Sequence, residues 1–240
     1  MMLAAQSPAE DLLQPVNAAL RPSEYTAALI QVLRARSRWV RGANALEIGS
    51  GSGVVLAAMG ELYAASLCGI DIECSAVESG ALLLHGLGYG AKAEMQHGDI
   101  WEPVAGRGFD LIAANLPQFP MEPLWYAGRL QSWSSGGPDG RRLLDRFLDG
   151  LPAHLARGGR AIITHNAFLD VEATRAMVAS DGLSLRVAMT VLVYLSCEKL
   201  ELMTRRILSA EQGRTIYRYG PYAFAEMHVV EIGAAGASLE

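Results

Sequence analysis

Four side chains able to accept hydrogen bonds stand in or just after runs of apolar residues. Glu47 lies inside "ALEIGSGSG" (residues 45–53), Asp71 falls in "GIDIE", Asp99 in "HGDIW", and Asn115 ends "FDLIAAN". Gly49, Gly51 and Gly53 alternate directly before the helical run "VVLAAMGELYAA". Glycine allows positive φ and a close backbone approach, and the first N–H groups of a helix are free to face a ligand. A pyrophosphate-binding turn would space its glycines as GxGxxG. Here the spacing is GxGxG with Glu47 two residues ahead, and an anion so placed repels a pyrophosphate. That argues against a nicotinamide dinucleotide and suits a ligand bearing an ammonium and a sulfonium. An ionised Asp71 offers two acceptor oxygens to the hydroxyls of a ribose. Asp99 can accept from the exocyclic amine of an adenine, with Ile72 and Ile100 on either side of the ring.

Such residues act together only if the fold brings them to one place. "NALEIG", "SLCGIDI", "AEMQHGD", "FDLIAAN" and "RAIITHN" are short apolar runs separated by intervals that hold a helix or a crossover. This pattern predicts parallel strands covered on both faces, with their carboxyl ends along one ligand-binding edge. His165 and Asn166 end the fifth run, so His165 is a candidate for substrate contact. After residue 182, "LSLRVAMTVLVYL" and "YAFAEMHVVEIG" lack βαβ spacing and are expected to form a terminal antiparallel pair. Residues 1–40 are expected to be a helical lead-in, with Ser23 as N-cap and Leu29, Ile30, Leu33 and Val40 on roughly one face. Residues 41–238 then form one α/β domain.

The hydrophobic content of 51% supports a real core. A net charge of −5 gives no broad basic face, so the expected partner is a small molecule or a protein rather than nucleic acid. Cys68, Cys74 and Cys197 lack metal-ligand spacing, so no metal is expected, and they read as ordinary buried thiols of a reducing compartment. No apolar run is long enough to span a bilayer, and the chain reads as cytoplasmic.

Four stretches together carry a family resemblance: "LRPSEYTAALI", "ALEIGSGSG", "FDLIAANLPQFP" and "GGPDGRRLLDRFL". They resemble the class I S-adenosylmethionine-dependent methyltransferases, most of all the HemK-like glutamine N-methyltransferases of peptide-release factors. In that family they correspond to the entry segment, the glycine loop, the N-P-P-Y strand end and the Gly-Gly-x-Asp-Gly turn. The resemblance spans roughly residues 20–167. It implies a Rossmann-like, mostly parallel seven-stranded sheet with an antiparallel last strand, and S-adenosylmethionine as cofactor. Glu47, Gly49, Gly51, Gly53, Asp71, Ile72, Asp99, Ile100 and Asn115 are its expected contacts.

Methyl transfer from a sulfonium is an in-line displacement, so the enzyme must aim a nucleophile's lone pair along the S–C bond. Two carbonyl oxygens accepting N–H bonds would orient and polarise an amide or amine nitrogen. The Asn115 side chain can supply one. The Leu116 backbone can supply the other, held extended by Pro117. The chain departs from N-P-P-Y next: Gln118 stands in the aromatic position and Phe119 comes one place late, making both candidates for choosing the substrate. The alternatives are a natural-product N- or O-methyltransferase, suggested by the arginine, alanine and glycine bias with Lys92 and Lys199 the two lysines, and a noncatalytic cofactor-binding module. His97 reads as a packed or loop histidine. The turn "SSGGPDGRR" is expected over the acceptor pocket, Tyr217, Tyr219 and Tyr222 in local packing, and "EKLELMTRRI" as a helix with a solvated face.

Overall fold

The computed structural model describes residues 21–121 and 134–235. Two helices open it, α1 (Glu24–Ala35) and α2 (Ser37–Val40), followed by β1 (Asn44–Ile48), α3 (Val54–Glu61), β2 (Ser66–Asp71), α4 (Cys74–Gly86), β3 (Ala93–His97) and β4 (Phe109–Ala114). The second half contains α5 (Arg142–His154), β5 (Leu155–Asn166), α6 (Val171–Ser180), β6 (Leu183–Leu195), α7 (Cys197–Leu202), α8 (Arg205–Glu211), β7 (Ile216–Tyr219) and β8 (Tyr222–Ala234).

The sheet order is β3-β2-β1-β4-β5-β8-β6. Strands β1 to β5 pair in parallel, while β8 runs antiparallel between β5 and β6. Near-continuous apolar runs produce this arrangement because both faces of the parallel strands are covered: every residue from Ala45 to Ile48 is buried. Among the described residues the sheet has eight strands rather than the expected seven. "IYRY" adds β7, which pairs with Tyr222–Ala225 of β8 through a hairpin whose Gly220 takes φ 62°.

The described part of the lead-in belongs to the same core, for Leu29 and Leu33 are fully buried among the sheet residues. The Ser23 backbone N–H donates to Thr26 Oγ1 at 3.2 Å at the start of α1. A buried acid ties the lead-in to the antiparallel strands: Glu231 on β8 accepts from Arg36 Nε at 2.8 Å and from Arg186 of β6. Residues 1–20 of the expected lead-in lie outside the described residues. Of the three cysteines expected to be buried, only Cys68 is; Cys74 and Cys197 begin helices α4 and α7 and are exposed. Among the described residues, no helix is long and apolar enough to cross a membrane.

Candidate functional site

The carboxyl ends of β1, β2, β4 and β5 and the turn after β3 open into one cleft of about 790 Å³. The glycine loop forms one side. Gly49, Gly51 and Gly53 take φ of 71°, 51° and 77°, a region L-residues enter only with strain. Two of the glycines also allow close approaches. A Cβ on Gly53 would lie 2.9 Å from Gly80 Cα, so it lets α3 meet α4, and one on Gly49 would lie 3.2 Å from Leu116 Cδ2. The glycine loop and the Asn115 loop are thereby in near contact.

Asp71 anchors this loop. Its Oδ2 accepts from Gly51 N at 2.8 Å and its Oδ1 from Glu73 N at 2.9 Å. Each oxygen keeps a further lone pair for a ligand hydroxyl. Burial raises the Asp71 pKa, opposed by those N–H groups. Glu47 is only 2% exposed, and burial holds its carboxyl well above the usual carboxylate range, with the Leu56 N–H acting against it and the Asp71 charge adding to it. Glu47 Oε2 and Ser50 Oγ are buried in this lining without a hydrogen-bond partner among the described residues. A cationic, hydroxyl-bearing ligand would satisfy such a wall.

Further along, Ile72 is 60% exposed, Ile100 is buried, and both line the cleft as the expected apolar faces. Asp99 is beside them and carries an ion pair with Arg146 of α5.

The other side is a hydrogen-bonded chain. Asn115 Oδ1 accepts from Thr164 Oγ1 at 2.8 Å, which turns the amide oxygen toward β5. Leu116 and Pro117 follow in the cleft wall. Gln118 is 5% exposed, and its polar atoms brace the loop: Nε2 donates to Thr164 O at 2.7 Å and Oε1 accepts from Asn166 N at 3.0 Å. Gln118 lines the cleft, as expected of a residue near the substrate, and also acts as a strut because β5 leaves these two backbone groups within its reach. Tyr25 of α1 donates to Asn166 Oδ1 at 2.7 Å, and burial raises its pKa. Phe119 lies in the lining with its ring edge-on to Phe168 at 6.4 Å.

His165, expected at the substrate, lies away from the cleft. It is fully buried, absent from the cleft wall, and bonded to Asn166 O and Thr174 Oγ1, each at 2.9 Å. Burial, with the nearby Arg141 charge, lowers its pKa to about 4. Successive residues of a strand face opposite sides, so Thr164 and Asn166 share the site's face while His165 points at α6. Strand alternation in the sequence carries that signal. Tyr25, Arg142, Leu143, Arg146, Tyr194 and Lys199 also line the cleft and were not among the sequence candidates for it. Tyr25 lies in "RPSEY", which the resemblance had marked only as an entry segment.

The "SSGGPDGRR" turn packs on the acceptor loop, with Phe119 N donating to Ser134 O at 2.7 Å and Gly136 N to Phe119 O at 2.8 Å. "EKLELMTRRI" forms two short helices rather than one, and Thr204 N between them donates to Pro120 O at 2.9 Å. Tyr217, Tyr219 and Tyr222 stay outside the cleft wall, Tyr217 donating to Glu226 Oε1 at 2.7 Å.

No family model matches the chain. A protein of Methanocaldococcus jannaschii described as "Putative protein N5-glutamine methyltransferase" is 31% identical over 152 residues, covering 61% of this chain and 74% of that one. The solved E. cuniculi complex responsible for methylation of the eRF1 translation termination factor superposes with a TM-score of 0.56 at 13% identity, covering 90% of this chain and 98% of that chain. A 16S rRNA methyltransferase of T. thermophilus, solved with AdoMet and guanosine, gives 0.51 at 18% identity over 91% of this chain and 45% of that chain. The structural likenesses establish the fold.

Proposed function

This chain belongs to the HemK-like class I S-adenosylmethionine-dependent methyltransferases, and from that premise we propose that it N-methylates a side-chain amide or amine, a protein glutamine first among them, held at Asn115. The observation that carries this reading is the Asn115 amide at the end of β4, its oxygen fixed by the Thr164 hydroxyl. The cleft residues fit the cofactor, since Glu47 Oε2 and Ser50 Oγ are buried polar atoms without partners among the described residues.

Glu47 would take the donor's ammonium, Asp71 its ribose, Asp99 its adenine amine, and Ile72 and Ile100 the faces of the ring, with Gly49, Gly51 and Gly53 giving the backbone room. S-adenosylmethionine supplies an electrophilic methyl on a sulfonium. Asn115 Oδ1 has one lone pair occupied by Thr164 and one left to accept an N–H of the acceptor. The Leu116 carbonyl, stiffened by Pro117, accepts the second. Both oxygens gain strength as positive charge develops on the nitrogen, so they favour the transition state over the ground state. Transfer would exchange the donor's S–C bond for the N–C bond and leave S-adenosylhomocysteine, and the proton then surplus on the nitrogen would be held against Asn115 Oδ1 until water takes it. Phe119 and Tyr25 flank this end and offer aromatic surface to a planar amide, in place of the family's fourth-position aromatic.

The test is methylation with a labelled donor of purified translation termination factors and glutamine-containing peptides, with the methylated atom located by mass spectrometry. Label on a side-chain nitrogen, lost in Asn115→Ala, supports the reading. Label on oxygen, or label unaffected by that change, counts against it.

A further inference from the structure

We infer that Arg146 is a positioning residue for the cofactor's base: it fixes Asp99 so that the carboxylate accepts from an exocyclic amine, making the cleft select a 6-amino over a 6-oxo purine. This rests on the S-adenosylmethionine reading of the cleft.

The turn that carries Asp99 is strained and clamped. Ile100 has φ 50°, a conformation that a β-branched residue adopts only where its surroundings enforce it. Helix α5 does the enforcing. Trp101 stacks on Phe147 at 5.1 Å and on His154 at 4.3 Å, and its Nε1 donates to Arg146 O at 3.3 Å. A Cβ at Gly150 would overlap the indole, so glycine there makes room for it. One face of α5 is thereby pinned to the segment 99–101, and from that face Arg142, Leu143 and Arg146 line the cleft.

Arg146 completes the clamp at the side-chain level. Its Nη2 donates to Asp99 Oδ2 at 2.8 Å and its Nη1 to Oδ1 at 3.4 Å. Side chains exposed to 49% and 35% make this a screened pair that adds little to folding stability. What the planar fork does is set the carboxylate's direction. It takes one lone pair from each oxygen and leaves one on each for a ligand. An exocyclic amine donates to such an oxygen, whereas a 6-oxo group would set a carbonyl against it. Without the guanidinium, the half-buried carboxylate can rotate and its selectivity relaxes.

The experiment is calorimetric titration of the wild type, Arg146→Gln, Arg146→Lys and Asp99→Asn with S-adenosylhomocysteine and with its 6-oxo analogue S-inosylhomocysteine. The wild type is expected to prefer the adenosyl ligand. Arg146→Gln should weaken that ligand about five- to tenfold, the coupling ordinary for contacting residues, while changing the inosyl ligand less than twofold. Arg146→Lys should recover part of the loss, and Asp99→Asn should erase the preference. Equal weakening of both ligands in Arg146→Gln, or no change in either, would overturn the assignment. If the wild type fails to bind S-adenosylhomocysteine, the donor reading itself falls and takes the assignment with it.

Discussion

Replacing Glu47 by Gln separates what this residue does for folding from what it does for the cofactor. The carboxyl is buried, with one N–H acting on it and Oε2 left without a partner among the described residues, so its ionised form is disfavoured. A carboxyl whose pKa is raised by folding binds its proton more tightly in the native state. Its relative stabilisation is therefore complete below the ordinary glutamate value of about 4.5 and is lost as pH rises from there toward the raised native value. The glutamine variant carries no such penalty. It should be more stable than the wild type at pH 7 to 8, by on the order of 1 kcal/mol, the scale of burying an incompletely paired polar group, and should match it near pH 4. Binding should move the other way. Losing a charged acceptor for an ammonium costs roughly 1.5–3 kcal/mol, or about 10- to 150-fold in affinity. Wild-type affinity should also rise with pH as the carboxyl ionises, a slope the variant lacks. Thermal denaturation and calorimetry with S-adenosylhomocysteine from pH 5 to 8 measure both effects. Unchanged ligand affinity in Glu47→Gln at pH 7.5 would refute the assignment of Glu47 to the ammonium.

Gly53→Ala forces an L-residue to φ 77° and places a Cβ 2.9 Å from Gly80 Cα, so chemical denaturation should show a loss of about 2–4 kcal/mol; a loss below about 0.5 would mean that α3 and α4 separate freely. Thr164→Val removes the hydroxyl that orients Asn115 and should lower kcat about tenfold with little change in donor affinity, with Thr164→Ser restoring most of it. His165, lowered to about 4, should stay neutral in an NMR titration from pH 8 to 5 and protonate only near that value. Its contribution to stability is present above pH 6.5 and lost as pH falls toward 4, and titration near 6.5 would contradict the burial argument.

The parallel half of the fold was legible because burial on both faces writes itself as unbroken apolar runs, and the gathering of Glu47, Asp71, Asp99 and the glycine loop at one cleft was legible because strand-end acids and GxGxG are local patterns. Long-range pairings left no such trace. Nothing in "RRLLDRFL" says that Arg146 meets Asp99, 47 positions away, or that Tyr25 reaches Asn166 across the sheet. The assignment of His165 to the substrate followed strand position and neglected face, and the alternation between Thr164, His165 and Asn166 resolves it. The β7 hairpin was missed because "IYRYGPY" reads as aromatic packing around a turn until its partner strand is known.

The proposed role of Asn115 bears on methyl transfer more than on affinity for the donor. Its most direct test is the Asn115→Ala variant, with single-turnover methyl transfer to a glutamine-bearing protein substrate set against S-adenosylhomocysteine affinity. A fall in transfer of about 100-fold, the scale of removing one oriented acceptor from a polar transition state, with affinity within twofold of the wild type, is the expected result. Equal losses in both, or undiminished transfer, would contradict it.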